Sequence, residues 1–482
     1  MKYDLIIIGS GPGGYKAALT SAFLGAKVAI IERDLPGGNC LNQGCIPTKS
    51  LAHVAELLED ISTMQGRGLI GTITADFGAA MAHKNKIVEQ LRSHFPDWIK
   101  RLGVHIYQGH GRFCDSNTVA IEMADGQIEE IKADKIIIAT GSAPIEHSVC
   151  KTDGIRILNS QDFMYRLKKL PRRLLCIGGG AIGTELGFIM HQFGSQVTIV
   201  EQSHRLLNRP GIPLRASAAL ERKFKKLGVS VKTHATVRAI NQSKQDIEVT
   251  FEDGSQDRYD VILIAIGRRP ISAQLDLEKA GVAVDPNGFI KVSQSLRTNR
   301  AGIFALGDVT DGPMTANAAL HGAKIAARNA ILGDNKSCNY HTVPTVIQSA
   351  LQIATVGLSE DMAEDAGFEP EAARSNLMGS PKALAISETE GFTEITHDEE
   401  TGQLLGGCIV GPDAGEQIQM LTAACQSDRG LWFFSDINYS HPSWCEELEN
   451  AINPFTSEFG KNQQDTFQPG IYAAQSPTTG KF

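Results

Sequence analysis

One stretch of this sequence occurs twice. From Asp4 to Arg33 it runs as an apolar strand, a glycine turn, a helix with apolar periodicity, a glycine and a second strand that closes on Glu32. From Leu174 to Gln202 the same order returns. Gly9, Gly11, Gly14, Gly25 and Glu32 recur as Gly178, Gly180, Gly183, Gly194 and Glu201, each at the same offset. A GxGxxG alone is a weak signal. Here it joins a strand to a helix, has an acid at the right distance, and appears twice.

Each part has a physical task. The first glycine allows the tight turn, the second lets backbone approach a pyrophosphate, and the third lets helix and strand pack closely. The helix N-terminus faces the phosphate charge, and the acid accepts hydrogen bonds from the adenosine ribose. Two dinucleotides are therefore expected, against the bland alternative of glycine turns without a ligand. Glu201 repels a 2′-phosphate and is followed by Gln202, Ser203, His204 and Arg205 rather than by a cluster of arginines. NAD is expected over NADP, with Arg205 as the one nearby cation.

A second matched pair follows. Lys135–Pro144 and Val261–Pro270 each read as a buried strand ending in a glycine turn, which suggests boundaries near 145 and 270. Ser50 to Leu102 is helical in pattern, broken by the glycine-rich Gln65–Gly71. Ile303–Val309 reads as a strand ending in Asp308, and short strands and helices alternate from about 341 to His441. Beyond Asn453 the chain is polar and aperiodic, the pattern of an irregular tail.

A chain of 482 residues needs more than one core. Its net charge of -8 argues against nucleic acid or an anionic membrane as partner. The apolar run Leu5–Ile8 is too short for a signal peptide, and no other run is long enough to span a bilayer. The expectation is a soluble, cytoplasmic protein. Nine cysteines are present without a Cys-x-x-Cys pair, so neither zinc nor a secreted disulfide framework is expected. Cys114, Cys150, Cys176, Cys338, Cys408 and Cys425 read as small buried hydrophobes.

Cys40 and Cys45 are different. They lie in Gly37-Gly-Asn-Cys-Leu-Asn-Gln-Gly-Cys-Ile-Pro-Thr-Lys49, directly after the first nucleotide unit. Placed on one helical turn, the pair is expected to bring two sulfurs within bonding reach and to cycle between dithiol and disulfide. The bland alternative is two buried thiols near a helix start.

With this motif in place, the chain resembles the class I pyridine nucleotide–disulfide oxidoreductases. The Ile-Pro-Thr-Lys ending is more similar to their lipoamide branch than to the glutathione or mercuric branches. The likeness runs from Met1 to about residue 452. It implies an α/β fold with two Rossmann-like dinucleotide-binding domains and a C-terminal α+β dimerisation domain. The implied division is 1–145 for FAD, 146–270 for NAD, 271–340 as a central segment completing the FAD site, and 341–482 for the homodimer interface, with the tail from about 454. The implied activity is NAD-dependent oxidation of dihydrolipoamide on a carrier protein.

Residue roles follow from the resemblance alone. Glu32 is similar to the FAD ribose ligand. Gly9, Gly11, Gly14, Lys49, Gly111, Thr140, Gly141, Ser142, Asp308, Met314, Thr315 and Ala316 match FAD contacts. Gly178, Gly180, Gly183, Glu201, Val237 and Gly267 match NAD contacts. Lys49 and Glu185 match a pair beside the reacting rings. His441, oriented by Glu446, matches a base that serves the cysteine pair of the other subunit. That role fits the chemistry, since a thiolate rather than a thiol attacks a disulfide.

Departures stand in the same segments. Ser443, Trp444 and Cys445 replace the family's Thr-x-Ser, and Ser349-Ala350-Leu351-Gln352 replaces its Thr-His-Pro-Glu. An indole beside His441 is expected to reshape the approach to Cys40, which together with the tail suggests a specialised lipoyl carrier. A glutathione-type reductase and a non-catalytic flavoprotein sensor are the alternatives.

Overall fold

The computed structural model describes residues 1–427 and 429–459. The first unit opens with β1 (Lys2–Ile8), α1 (Pro12–Phe23) and β2 (Val28–Glu32). Pro12 stands at the start of α1, where its missing N–H costs no helical hydrogen bond. Then come α2 (Gly38–Asn42), α3 (Cys45–Thr63) and α4 (Phe77–Arg101), followed by β3 (His105–Gln108), β4 (His110–Phe113), β5 (Thr118–Glu122), β6 (Ile128–Ile138) and β7 (Ser142–Pro144). The strands β3-β2-β1-β6 are parallel neighbours, and β5 and β4 continue the sheet antiparallel. Leu5, Ile6 and Ile7 are fully buried, as a parallel strand covered on both faces requires.

The second unit repeats the plan. It consists of β8 (Ile157–Asn159), α5 (Ser160–Arg166), β9 (Arg173–Ile177), α6 (Ala181–Gln192), β10 (Gln196–Val200), α7 (Leu214–Leu227) and β11 (Ser230–Lys232), then the antiparallel β12 (Val237–Gln242), β13 (Ile247–Phe251) and β14 (Gln256–Tyr259), and finally β15 (Val261–Ile264) and β16 (Arg268–Pro270). Its sheet runs β11-β10-β9-β15-β8. The two matched exit segments meet: Arg268–Pro270 pairs antiparallel with Ser142–Pro144.

The segment that follows returns to the first sheet. After α8 (Leu277–Ala280), the strand β17 (Ile303–Ala305) pairs with Ile136–Ile138 of β6. The next helix, α9 (Ala316–Ile331), shares a core with α1 through Ala17, Ala18, Ala323 and Ala326. The strand ends earlier than the sequence suggests: Asp308 lies in a short 3-10 turn, Gly307–Val309, which turns its carboxylate off the sheet edge.

The C-terminal unit is built from β18 (Thr345–Gln348), β19 (Gln352–Gly357), α10 (Glu360–Asp365), β20 (Pro370–Asn376), α11 (Pro381–Ile386), β21 (Phe392–Asp398), β22 (Leu404–Val410), α12 (Ala414–Cys425), α13 (Trp432–Ser435) and α14 (Glu446–Phe459). Its antiparallel sheet runs β18-β19-β22-β21-β20. The expected tail from about 454 overlaps α14, whose backbone continues to Phe459; residues 460–482 lie outside the described residues. No described helix is long and apolar enough to cross a membrane. Of the cysteines read as buried, Cys150, Cys176 and Cys408 are so, Cys338 and Cys425 are half-buried, and Cys114 is exposed. Cys114 follows β4 at the sheet margin, where its thiol points to Glu130.

Candidate active site

A cavity of about 700 Å³ runs between the first glycine turn, the cysteine pair, α6 and the 3-10 turn. Gly9, Gly11, Glu32, Cys40, Cys45, Lys49, Gly111, Thr140–Ser142, Glu185, Asp308 and Met314–Ala316 all line it. Residues spread over some three hundred positions thus share one wall.

The glycine turn fits a dinucleotide by geometry. A Cβ on Gly14 would stand 1.8 Å from the Gly9 carbonyl oxygen, so this position is closed by the chain itself. A Cβ on Gly11 would meet no protein atom within 4 Å, so this position is open, and Gly11 lines the cavity. The second turn repeats this: Gly183 is closed by Gly178 at 1.9 Å, and Gly180 is open.

Glu32 is held by the Ser10 N–H at 2.8 Å, the Ser10 hydroxyl at 2.6 Å and the Asp34 N–H at 2.8 Å. Glu201 accepts from the N–H groups of Gly179 at 2.7 Å and Ser203 at 2.8 Å. Both acids are thereby fixed at the end of their second strand. Arg205 is turned back onto its own loop and the start of α7, donating to Asn208 Oδ1, the Ile212 carbonyl and Ser217 Oγ. Val237 is buried at the start of β12, and Gly267 takes a left-handed φ of 117° between β15 and β16.

Cys40 and Cys45 form a disulfide with their Cα atoms 4.6 Å apart. They do not share a helical turn. Five residues along one continuous helix would point the two side chains about 140° apart. Instead α2 ends at Asn42 and α3 starts at Cys45, with Gly44 in an irregular conformation between them. That break brings the sulfurs together. Asn42 pins the short helix by donating to the carbonyls of Pro36 at 3.0 Å and Gly38 at 2.9 Å.

One turn into α3, the Lys49 ammonium lies 3.2 Å from the Glu185 carboxylate of α6. The same Glu185 oxygen accepts the Gln348 N–H at 2.8 Å, so this carboxylate ties the disulfide helix, the second unit and the C-terminal sheet together. Asp308 accepts from the Ser142 hydroxyl at 2.6 Å.

Sequence reasoning missed Arg268. Its guanidinium donates to Ser142 Oγ at 2.7 Å and to the Ser142 carbonyl at 2.6 Å, and lies 4.0 Å from Asp308. Nothing in the Gly-Arg-Arg-Pro stretch shows a partner 126 positions earlier. The β7–β16 pairing brings them together.

His441 Nδ1 lies 2.8 Å from Glu446, which also accepts the Ser443 N–H at 2.5 Å. These two bonds hold the Glu446 carboxyl below its ordinary range, His441 contributing most. The imidazole is largely exposed and does not line the cysteine cavity of its own chain. Its neighbours Pro442–Trp444 border a second cavity, of about 480 Å³, together with Glu56, Glu59 and Asp60 of α3. Those acids lie eleven to fifteen residues past Cys45, roughly 17–22 Å along the helix at its usual rise. Trp444 turns inward, buried on Leu377 and Ala383, rather than standing free beside His441.

Residues 3–323 match the family described as pyridine nucleotide-disulphide oxidoreductase, and residues 343–452 match its dimerisation domain. The chain is 36% identical over 459 residues to a dihydrolipoyl dehydrogenase of Thermus scotoductus, covering 93% of this chain and 96% of that one. It is 34% identical over 445 residues to the dihydrolipoyl dehydrogenase of Bacillus subtilis, covering 91% and 93%. Among solved structures, it is similar to the HOCl-induced flavoprotein disulfide reductase RclA of Escherichia coli, in its Cu(II) complex. There the TM-score is 0.83 at 28% identity, with 94% of this chain and 100% of that one covered. Both glycine turns, the disulfide and the two family matches agree: the chain belongs to the pyridine nucleotide-disulphide oxidoreductase family, as a flavoprotein disulfide oxidoreductase with a C-terminal dimerisation domain.

Proposed function

We propose that this chain oxidises protein-bound dihydrolipoamide with NAD+, reversibly, as a homodimer. One observation carries the reading: a disulfide stands in the wall of the same cavity as an open dinucleotide turn and the Lys49–Glu185 pair. The dihydrolipoyl dehydrogenases at 34–36% identity supply the substrate class.

In this reading His441 of a second copy takes a proton from a substrate thiol, with Glu446 fixing the imidazole tautomer. The placement of the His441 loop toward the far end of α3 supports the crossing between copies. The substrate thiolate attacks Cys40 Sγ, the Cys40–Cys45 bond breaks, and Cys45 leaves as thiolate. The second substrate thiol then displaces Cys40, giving a cyclic disulfide product and an enzyme dithiol. Bound FAD and NAD supply the two-electron acceptor chemistry.

Gly9–Gly14, Glu32, Thr140–Ser142, Asp308 and Met314–Ala316 would hold FAD. Gly178–Gly183, Glu201, Val237 and Gly267 would hold NAD. The retraction of Arg205 supports NAD over NADP. The boundaries near 145, 270 and 340 are the working division of these roles.

The likeness to RclA favours one second reading, a reductase of another disulfide substrate. Steady-state rates with free dihydrolipoamide, lipoylated carrier proteins and glutathione separate the two. Cys40→Ser or Cys45→Ser should abolish lipoamide turnover while FAD stays bound. Unchanged turnover in either variant would rule out the redox assignment.

A further inference from the structure

Cys40 rides on α2, a helix of five residues. A helix this short does not hold itself together in water, so its tethers decide where Cys40 sits. Two are local: the disulfide to Cys45, and the Asn42 amide on the Pro36 and Gly38 carbonyls. A third comes from far away in sequence. The Gln161 amide donates to Asn39 Oδ1 at 3.0 Å across 122 positions. Asn39 is the residue before Cys40. Its amide nitrogen lies 3.0 Å from where a Cβ on Gly44 would stand, so it covers the break between α2 and α3. Gln161 belongs to α5 and lines the active-site cavity together with Ile182, Glu185 and Leu186 of the second unit.

We propose that Gln161 is a positioning residue for the redox pair, holding the Cys40 turn in place through Asn39 when the disulfide is open. The inference rests on Cys40–Cys45 being that pair. The Gln161 bond is made with the disulfide closed, so it belongs to the conformation in which the two sulfurs meet. Reduction breaks the S–S bond, brings in two electrons and two protons, and removes the covalent anchor. The Asn39–Gln161 bond then keeps the turn near the geometry in which Cys40 and Cys45 meet, which raises their effective concentration and favours disulfide over dithiol. Neither residue needs to touch substrate for this. The cysteine turn is thereby held to the wall that the second nucleotide unit presents.

The test is a redox equilibrium on the holoenzyme. Wild type, Gln161→Ala, Asn39→Ala and the double variant are equilibrated in glutathione buffers of graded ratio. Two glutathiones give up the electron pair and protons and leave as glutathione disulfide. Acid quenching, alkylation and mass spectrometry then count dithiol against disulfide. Gln161→Ala should raise the dithiol-to-disulfide ratio about two- to tenfold, the worth of one hydrogen bond. Asn39→Ala should do the same, and the double variant should go no further than either alone. Asn39→Asp keeps the acceptor and should restore the wild-type ratio. A Gln161→Ala ratio equal to or below wild type, or additive changes in the double variant, overturns the proposal. A wild-type pair that never exchanges with glutathione removes the redox reading itself, and this inference with it.

Discussion

The imidazole of His441 and the carboxylate of Glu446 lie 2.8 Å apart, on a loop that borders the far part of the helix begun by Cys45. The imidazole does not line the cavity that holds the cysteines of its own chain. In the proposed reaction the exposed imidazole of one chain would serve the cysteine pair of a second copy.

Mixed dimers check this directly. Cys45→Ser and His441→Gln should each be inactive alone. Co-refolded in equal amounts, they should regain roughly a quarter of wild-type activity, because half the two-fold dimers are mixed and each has one complete site. A fully active monomer in sedimentation would refute the arrangement. The lowered Glu446 carboxyl also sets a sign. Its hold on the loop is complete above the ordinary carboxylate pKa and fades only as pH falls through the lowered value.

Two alanines in the first glycine turn should behave in opposite ways. Gly11 has an ordinary extended backbone and an open Cβ position. Gly11→Ala should leave the apoprotein's melting temperature unchanged and weaken FAD binding at least about tenfold by blocking backbone approach. Gly14→Ala drives a methyl into the Gly9 carbonyl and should destabilise the apoprotein by about 1–3 kcal/mol or more. Thermal melts and flavin titrations on both apoproteins give the comparison; equal behaviour would show that the turn is not shaped for a ligand.

Glu201 should set the choice of nicotinamide. Wild type should prefer NADH to NADPH by orders of magnitude in kcat/KM. Glu201→Arg should erode that preference about tenfold or more, since a like-charge contact with a 2′-phosphate is then replaced by an attractive one. The retracted Arg205 predicts in addition that Arg205→Ala changes the preference little. Equal wild-type rates with both cofactors would contradict this account.

Lys84, bonded to a residue that lines the cavity, gives a pH signature of its own. Its side chain is buried on α4, the ammonium donates to the Met164 carbonyl at 2.6 Å, and burial pulls its pKa down to about 8. A lysine that loses its proton more readily when folded makes the unfolded chain bind more protons above that pH. Stability should thus rise between about pH 8 and the ordinary lysine range near 10.5, by at most roughly 2–3 kcal/mol. Lys84→Met should lack this rise relative to wild type. Denaturant melts of both proteins at pH 7, 8.5 and 10 measure it, and parallel pH curves would show that the ammonium is not desolvated.

Local patterns in the sequence determined the two nucleotide units, the cysteine motif and the acids that end each second strand. These depend on short-range geometry: a tight turn needs glycine, a buried parallel strand needs an apolar run, and the helix start follows within a few residues. Tertiary structure alone decided the rest. The sulfurs meet because the helix breaks at Gly44, whereas a continuous turn would have parted them. Asp308 faces the cavity from a 3-10 turn after a strand, Ile303–Ala305, that joins the first sheet beside Ile136–Ile138. Arg268 reaches Ser142, Gln161 reaches Asn39, and Trp444 packs inward, because sheet pairing and packing juxtapose segments that no spacing relates. A hydrogen bond or a buried contact depends on distance in space, and sequence separation carries that distance only within a turn or two of the chain.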